Sequence, residues 1–538
     1  MRIGFDFDNT LVNYNHVFTS EAKRQRMVSS GWRGSKRALR DDLQSRPNGV
    51  RLWQTLQGIV YGRGIAQAKL FPGVASFLMR CRGRGDEIYI ISHKTEFGHF
   101  DLTRTPLRKA ALDWMESKRF FDGSRFGLCR DRVFFTATRS EKIDRIQELN
   151  LDVYVDDLEE VFAEKRFPAI KKILFSETAD GTHHDFKCDN WPEIENNILG
   201  SLTDEEFGWH AQTLSPEKVT QVRKMRGRGN SRLYHVQVES GSAYVLKYYP
   251  DLSIDYRPRL QTEVQACRLL NHLGVAPNAV SFDKDLNMAL YEWIEGIPLE
   301  QIEHEHIEQA LAFVEILKDL NGTSLDDFPK ASEACLSANQ LFSQLKQRIR
   351  KLESVQNKPM RRFLDTTLKP LLKMVRSWSW TKWPSSNIQH ELPVLSQTLS
   401  PSDFGFHNTL LRTNERLCFL DLEYFGRDDP VKLMADFLWH PAMRLDASLK
   451  TLWLKGMFKI FGNDDDLRQR FRAAWPLYGL RWALILLNEF RQDGWSKRLH
   501  ANQDLLQRRE QKLEQQLQKT SEICRSLSDL GMECPYSL

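Results

Sequence analysis

Through the first 200 residues, short apolar runs alternate with stretches whose apolar positions recur at helical spacing. The runs at 2–7, 87–91, 132–135, 152–155 and 171–175 predict strands. Segments 108–118, 140–149 and 158–165 carry the helical period and predict the intervening helices. Alternation of this kind implies an α/β domain over residues 1–200, a Rossmann-like parallel sheet with helices on both faces. In such sheets chemistry collects at the carboxyl ends of the strands. Polar residues stand at four of those ends: Asp6/Asp8, Ser92, Thr136/Thr138 and Asp156/Asp157. The basic, helical sequence at about 14–70, before Phe71-Pro-Gly73, predicts a small inserted cap.

Beyond a polar connector expected at 201–216, the pattern changes. Apolar runs at 232–238 and 243–249 flank Glu239-Ser-Gly-Ser242, a hairpin signal. A helix at 259–273 and a strand at 287–293 follow, and from Pro298 onward the period is helical except at 400–425. The expected outline is a domain at 217–494 with a small β-rich lobe (217–297) and a larger helical lobe (298–494). The tail, 495–538, predicts a polar amphipathic helix. Leu506, Leu513, Thr520 and Leu527 recur at sevens, but the other seam holds Glu510 and Cys524. That favours packing on the parent domain over a coiled coil.

At 538 residues the chain exceeds what one core serves, which agrees with several domains. Its net charge of +5 makes no demand for nucleic acid. Eight cysteines lie scattered without a Cys-x-x-Cys pair, so they read as reduced packing thiols rather than a disulfide framework or zinc site. The opening residues read as a strand, without the basic region, apolar stretch and cleavage site expected of a targeting segment, and the longest strongly apolar run, 482–487, is too short to span a bilayer. A soluble, cytoplasmic protein without membrane association is expected.

Two carboxylates two positions apart at the end of the first strand suit an aspartate nucleophile beside an acid/base. Phosphate monoesters resist attack because an anion must approach an anion, so a carboxylate nucleophile needs a cation and further positive charge. Here Asp6 would attack and form an aspartyl-phosphate, and Asp8 would protonate the leaving alcohol and then activate water. Ser92 would hydrogen-bond a phosphoryl oxygen and Lys142 would supply positive charge. Asp156 and Asp157, with Asp6 and Asp8, would hold Mg²⁺ through hard oxygen ligands. This set, with Thr10, resembles the haloacid dehalogenase-like hydrolase superfamily over about the first 200 residues. The resemblance implies phosphatase chemistry, since Asp8 at the +2 position marks phosphatases, and a helical cap after the first motif.

A second phosphate-handling pattern follows. Lys247 in the second hairpin strand would reach nucleotide phosphates, and Glu263, in the next helix, would pair with it. Upstream, Gly227, Gly229, Asn230 and Ser231 form a small-residue loop able to cover phosphates. Asp403-Phe-Gly-Phe-His-Asn408 has the spacing of a catalytic base followed by a metal ligand, and Asp421 ends an apolar run where it would bind Mg²⁺. These residues resemble the aminoglycoside phosphotransferase and choline kinase-like family over roughly 216–490. The resemblance implies a bilobal protein-kinase-like fold, ATP, and a small hydroxyl-bearing acceptor. Pro401-Ser402 replaces the family's His-Gly, and no Ala-Pro-Glu follows Asp421, which argues against a protein kinase.

Together these readings predict a bifunctional enzyme: a Mg²⁺-dependent phosphomonoesterase joined to an ATP-dependent kinase of a sugar, amino sugar or amino alcohol. One alternative is a phosphatase regulated by a nucleotide-binding pseudokinase. Another, nucleic-acid end processing, lacks a Gly-x4-Gly-Lys-Ser/Thr loop. Among remaining features, the basic stretch 23–40 reads as a solvated helix pair or an electropositive lid. His93 and Lys94 would touch the leaving group or shape their loop. Asp436 and His440 would brace the C-terminal lobe.

Overall fold

Ile3 and Phe5 are buried in the first strand, Arg2–Phe5, and Gly4 sits between them. A Cβ on Gly4 would lie 2.4 Å from the Leu151 side chain and 2.6 Å from the Tyr154 ring, so a larger residue here must displace those side chains. Tyr154 cannot yield, because it is buried and its hydroxyl bonds the carbonyl of Ile91 at 2.5 Å. Around this strand a six-stranded parallel sheet runs in the order Val133–Thr136, Glu87–His93, Arg2–Phe5, Val153–Asp156, Lys171–Phe175, Phe186–Cys188. This computed structural model describes residues 1–100, 103–176, 182–225, 231–250, 255, 257–324, 328–492, 494–495, 508–529 and 531–536. The chain divides into two compact units, Met1–Val222 and Arg223–Leu538.

In the first unit all five expected strands are present within two residues of their expected ends, and the helices Leu107–Ser117 and Arg139–Glu148 lie where the period placed them. Arg139–Glu148 begins at an N-cap, with Thr138 Oγ1 accepting from the Glu141 amide. The helix expected at 158–165 shortens to Glu159–Phe162, since only Val161 and Phe162 find an apolar cluster and residues 163–165 are exposed. Inserted after the first strand are three helices, Asn15–Arg24, Lys36–Gln44 and Gly49–Tyr61. The pair Val12–Asn13 and Lys69–Leu70 closes the base of this insertion.

Residues 201–216 differ from the expected connector. They contain the helix Asp204–Leu214, opened by a full capping box between Thr203 and Glu206. Arg80, buried in the helix Val74–Arg84, anchors the segment: its guanidinium reaches Glu206 (2.9 Å), Glu195 (3.0 Å) and the carbonyls of Gly200 and Ser201. A buried charge satisfied on this scale is costly to unpair.

The second unit opens on a five-stranded sheet in the order Ala279–Asp283, Met288–Glu292, Ala243–Tyr248, Arg232–Val238, Val219–Lys224. The hairpin is antiparallel with Lys247 opposite Leu233. The edge strand Val219–Lys224, where the units meet in sequence, alternates too many polar residues to announce itself. The helix Arg259–Leu270 buries Leu260, Val264, Cys267 and Leu270 in the core.

From Gly296 onward, helices surround two small antiparallel sheets, Gly296–Pro298/Thr409–Arg412/Leu417–Phe419 and Thr398–Ser400/Gly426–Asp428. One continuous apolar core serves the unit. Within the tail, the helix Arg509–Asp529 packs on Leu467–Leu486. Thr520, Cys524 and Leu527 are buried there, so Cys524 in the second seam is a core residue; Leu506 lies outside the described residues. Among the described residues no helix is long and apolar enough to cross a membrane, and all eight cysteines are free, seven of them buried.

Candidate functional site

The parallel sheet brings three sequence-distant side chains together in the first unit. The strand Arg2–Phe5 delivers Asp6, and Val153–Asp156 ends on Asp156. Lys142, from the helix Arg139–Glu148, donates to Asp6 Oδ1 and Asp156 Oδ2, each at 2.7 Å. All three are buried. Burial works against the Lys142 ammonium, but Asp156 and Asp6 more than offset it and hold the pKa well above the usual lysine value. Asp6 is pushed up to about 6, by burial first, with Lys142 opposing.

Asp8 takes a different pair of donors. Lys94 Nζ and the Tyr14 hydroxyl each lie 2.6 Å from one of its oxygens. Asp157 stands well above the usual carboxylate range because of burial and the nearby charges of Asp156 and Asp6. Ser92 is buried near the end of its strand, and among the described residues neither its Oγ nor the buried Thr10 Oγ1 has a hydrogen-bond partner. Asp6, Asp8, Asp156 and Asp157 are hard oxygen ligands of the kind a divalent cation takes, but among the described residues no three of their oxygens gather within 4.8 Å of one another. Two orphaned hydroxyls and a clasped ammonium fit an oxyanion, since buried polar atoms without partners are rare.

Sequence reasoning passed over Tyr14 and Lys36 and left Lys94 undecided. Lys36 opens the second cap helix, bonds Asn9 Oδ1 and lies 4.6 Å from the Phe18 ring centroid. Burial lowers it to about 8, with Asp157 and Asp8 opposing. It is one of the seven basic residues in 23–40, but nothing in the sequence separates it from its exposed neighbours.

In the second unit Lys247 is buried among carboxylates. Its ammonium bonds Glu263 Oε2 at 2.7 Å, Asp421 Oδ1, and Glu423 Oε2 at 3.2 Å. Burial opposes its charge, but Asp421, Glu263 and Glu423 hold it protonated. Asp421 is pushed up to about 7 by burial, against the pull of Lys247. It stands at φ +60°, in the left-handed region, directly after the strand Leu417–Phe419 and Leu420. Tyr249 fixes Glu263 through a 2.7 Å bond, Arg259 pairs with Glu423, and Ser231 Oγ bonds Glu423 at 3.2 Å. Gly227, Gly229 and Asn230 lie outside the described residues. Glu263, Asp421 and Glu423 place carboxylate oxygens within 4.8 Å of one another, a donor set that fits a divalent cation.

Asp403 lies in the loop between Thr398–Ser400 and Thr409–Arg412. Asn408 Nδ2 donates to the Asp403 carbonyl at 3.1 Å, and the Leu420 amide donates to the Asn408 carbonyl at 2.8 Å, joining this loop to the one bearing Asp421. His407 Nε2 lies 3.2 Å from Asp403 Oδ1 and His440 Nε2 lies 3.7 Å from it. Burial alone would raise Asp403; the His407 hydrogen bond and the charges of His407, His440 and Lys432 bring it down to about 2.

Residues 222–473 match the phosphotransferase enzyme family. A protein of Oceanobacillus iheyensis whose name gives nucleotidase as a suggested activity is 22% identical over 162 residues, 29% of this chain and 77% of its own length. Solved structures that align with the chain include choline kinase LicA of Streptococcus pneumoniae, 14% identical with a TM-score of 0.39, over 58% of this chain and 95% of that one. Spectinomycin phosphotransferase in complex with ADP and spectinomycin is 13% identical with a TM-score of 0.41, over 61% and 99%. An ethanolamine kinase of Plasmodium vivax is 13% identical with a TM-score of 0.38, over 60% and 92%.

Proposed function

We propose that the chain is a two-site phosphoryl-transfer enzyme, hydrolysing a phosphomonoester in its first unit and phosphorylating a small hydroxyl compound from ATP in its second. The observation that carries this reading is shared by both units. In each, a buried lysine ammonium is clasped by carboxylates brought from separate segments, Asp6 and Asp156 in one and Glu263, Asp421 and Glu423 in the other. Charge arranged this way, with acids in excess of the lysine, is what a site built for Mg²⁺ and phosphate requires.

In the first unit Asp6 attacks phosphorus, the ester oxygen leaves with a proton from Asp8, and Asp8 then takes a proton from the water that cleaves the aspartyl-phosphate. Lys94 and Tyr14 position Asp8 for both transfers. Ser92 and Thr10 offer hydroxyls to the phosphoryl oxygens. A magnesium ion held by Asp6, Asp8, Asp156 and Asp157 would neutralise the phosphoryl charge. The likeness to a protein named for nucleotidase activity supports a phosphate ester as the substrate class.

In the second unit the acceptor oxygen bonds the γ-phosphorus, the bond to the β–γ bridging oxygen breaks, and Asp403 takes the acceptor proton. Lys247, fixed by Glu263, holds nucleotide phosphates, and Ser231 stands beside it on Glu423. Asn408 and Asp421 would hold Mg²⁺ there, supplying charge neutralisation at the transferred group. The match of residues 222–473 to the phosphotransferase family supports this half.

The test uses the full chain with Mg²⁺. Phosphate release from p-nitrophenyl phosphate and nucleoside monophosphates should vanish in Asp6→Asn. ADP formation over a panel of sugars, amino sugars and amino alcohols should vanish in Asp403→Asn. An inert wild type in either assay defeats that half.

A further inference from the structure

Asp403 belongs to a loop whose backbone is pinned but whose carboxylate has few partners. Ser402, at φ +67°, is held by its bond to the Ser332 carbonyl (3.2 Å) and by Lys432 (2.9 Å). Phe404 stacks on Phe313, and Phe406 packs edge-on against Phe437. None of these contacts touches the carboxylate. Proton transfer needs the carboxylate oxygen itself to be aimed, since misplacement of a reacting group by an ångström is costly.

Two imidazoles do the aiming. The rings of His407 and His440 are parallel, 3.8 Å between centroids with 5° between planes. Both Nε2 atoms face the same oxygen, Asp403 Oδ1, at 3.2 and 3.7 Å. Their tautomers follow from their partners. An ionised carboxylate only accepts, so His407 Nε2 carries a proton. The Ala442 amide donates to His440 Nδ1 at 3.1 Å, so the neutral His440 ring also carries its proton on Nε2. That N–H, rather than a lone pair, points at Asp403, which disfavours reading Asp403, His407 and His440 as a metal triad despite their ligand atoms lying within 4.8 Å. His440 is itself fixed: it follows the helix Pro430–Trp439, its amide bonds the Asp436 carbonyl at 2.9 Å, and its ring meets Trp482 edge-on. Trp482 Nε1 bonds Asp436 Oδ1 at 2.8 Å, and Arg481 pairs with the same carboxylate.

We infer that the stacked pair His407–His440 is the positioning device for Asp403. The His407 N–H occupies Oδ1, with the His440 ring stacked on His407 and its Nε2 3.7 Å from the same oxygen, which leaves Oδ2 as the proton-accepting atom for the acceptor hydroxyl. The inference rests on the transferase reading of the second unit and deepens it. Among the described residues no hydrogen bond reaches Oδ2.

The experiment compares His407→Phe and His440→Phe, which keep a stacking ring and lose the donor, with His407→Gln and His440→Gln, which keep a donor near Nε2. Mg²⁺-dependent ATP hydrolysis, with water as acceptor, and transfer to glucosamine and ethanolamine are followed, with ATP affinity read by calorimetry and melting temperature alongside. Loss of a charge-assisted hydrogen bond to Asp403 should lower kcat about ten- to a hundredfold in His407→Phe, with KM and Kd for ATP within about twofold of wild type. The Gln variants should recover most of the loss. Wild-type kcat in both Phe variants overturns the inference while leaving the transferase reading intact. Equal losses in the Phe and Gln variants, or a loss that follows melting temperature, assign the pair a packing role and overturn it too. A wild type without turnover on any acceptor, water included, defeats the transferase reading and this inference with it.

Discussion

Lys142 is the residue on which the first site balances. Its ammonium is the one bonded to both Asp6 and Asp156, so Lys142→Met leaves two buried carboxylates facing each other without a cation. Breaking a buried pair in this way costs about 3–5 kcal/mol. Urea unfolding at neutral pH should show that loss, and added Mg²⁺ should restore part of it to the variant by replacing the missing charge. At the second site, His440 gives a prediction in pH. Burial, then His407, lowers its folded pKa to about 4 from an ordinary 6.5. Below 6.5 the unfolded chain binds a proton that the folded chain refuses, so stability present above 6.5 falls as pH drops toward 4. The loss is up to roughly 3 kcal/mol. His440→Phe has no such proton to bind, and its denaturation midpoint should decline less than that of wild type over this window.

At the scale of elements, what the sequence disclosed depended on where each segment finds its partners. The strands ending at Asp6, Ser92 and Asp156 are buried on both faces, so they are apolar runs and were readable. Phe186–Cys188 is three residues with one buried side chain, and Val219–Lys224 is a polar edge strand. Neither carries an adequate period. Asp204–Leu214 was missed because its chief anchor is Arg80, more than a hundred residues away. Its capping box was legible in Thr203 and Glu206, and Thr203→Ala should cost about 1 kcal/mol, measurable as a shift in chemical denaturation. The same distinction holds within the sites. Spacing points to Asp403 and Asn408, and apolar context to Asp421. The contact of His407 with His440 exists only once the chain has folded, so no spacing announces it.

For the molecule as a whole, each unit has apolar clusters of its own. If Mg²⁺ serves chemistry and not folding, chelation by EDTA should abolish phosphate release and ATP-dependent transfer together, and far-UV circular dichroism should stay unchanged. Returning Mg²⁺ should restore both reactions. Collapse of the dichroism on chelation would instead assign the metal a structural role.

Gly4 carries a consequence for how this sequence tolerates change. The absent methyl lets the Leu151 and Tyr154 side chains close over the backbone two residues before Asp6, so any larger residue must displace Tyr154, which lies two residues before Asp156. A saturation library selected for phosphate release should therefore return position 4 as invariant, while Gly31, with nothing within 4 Å of its missing Cβ, drifts freely.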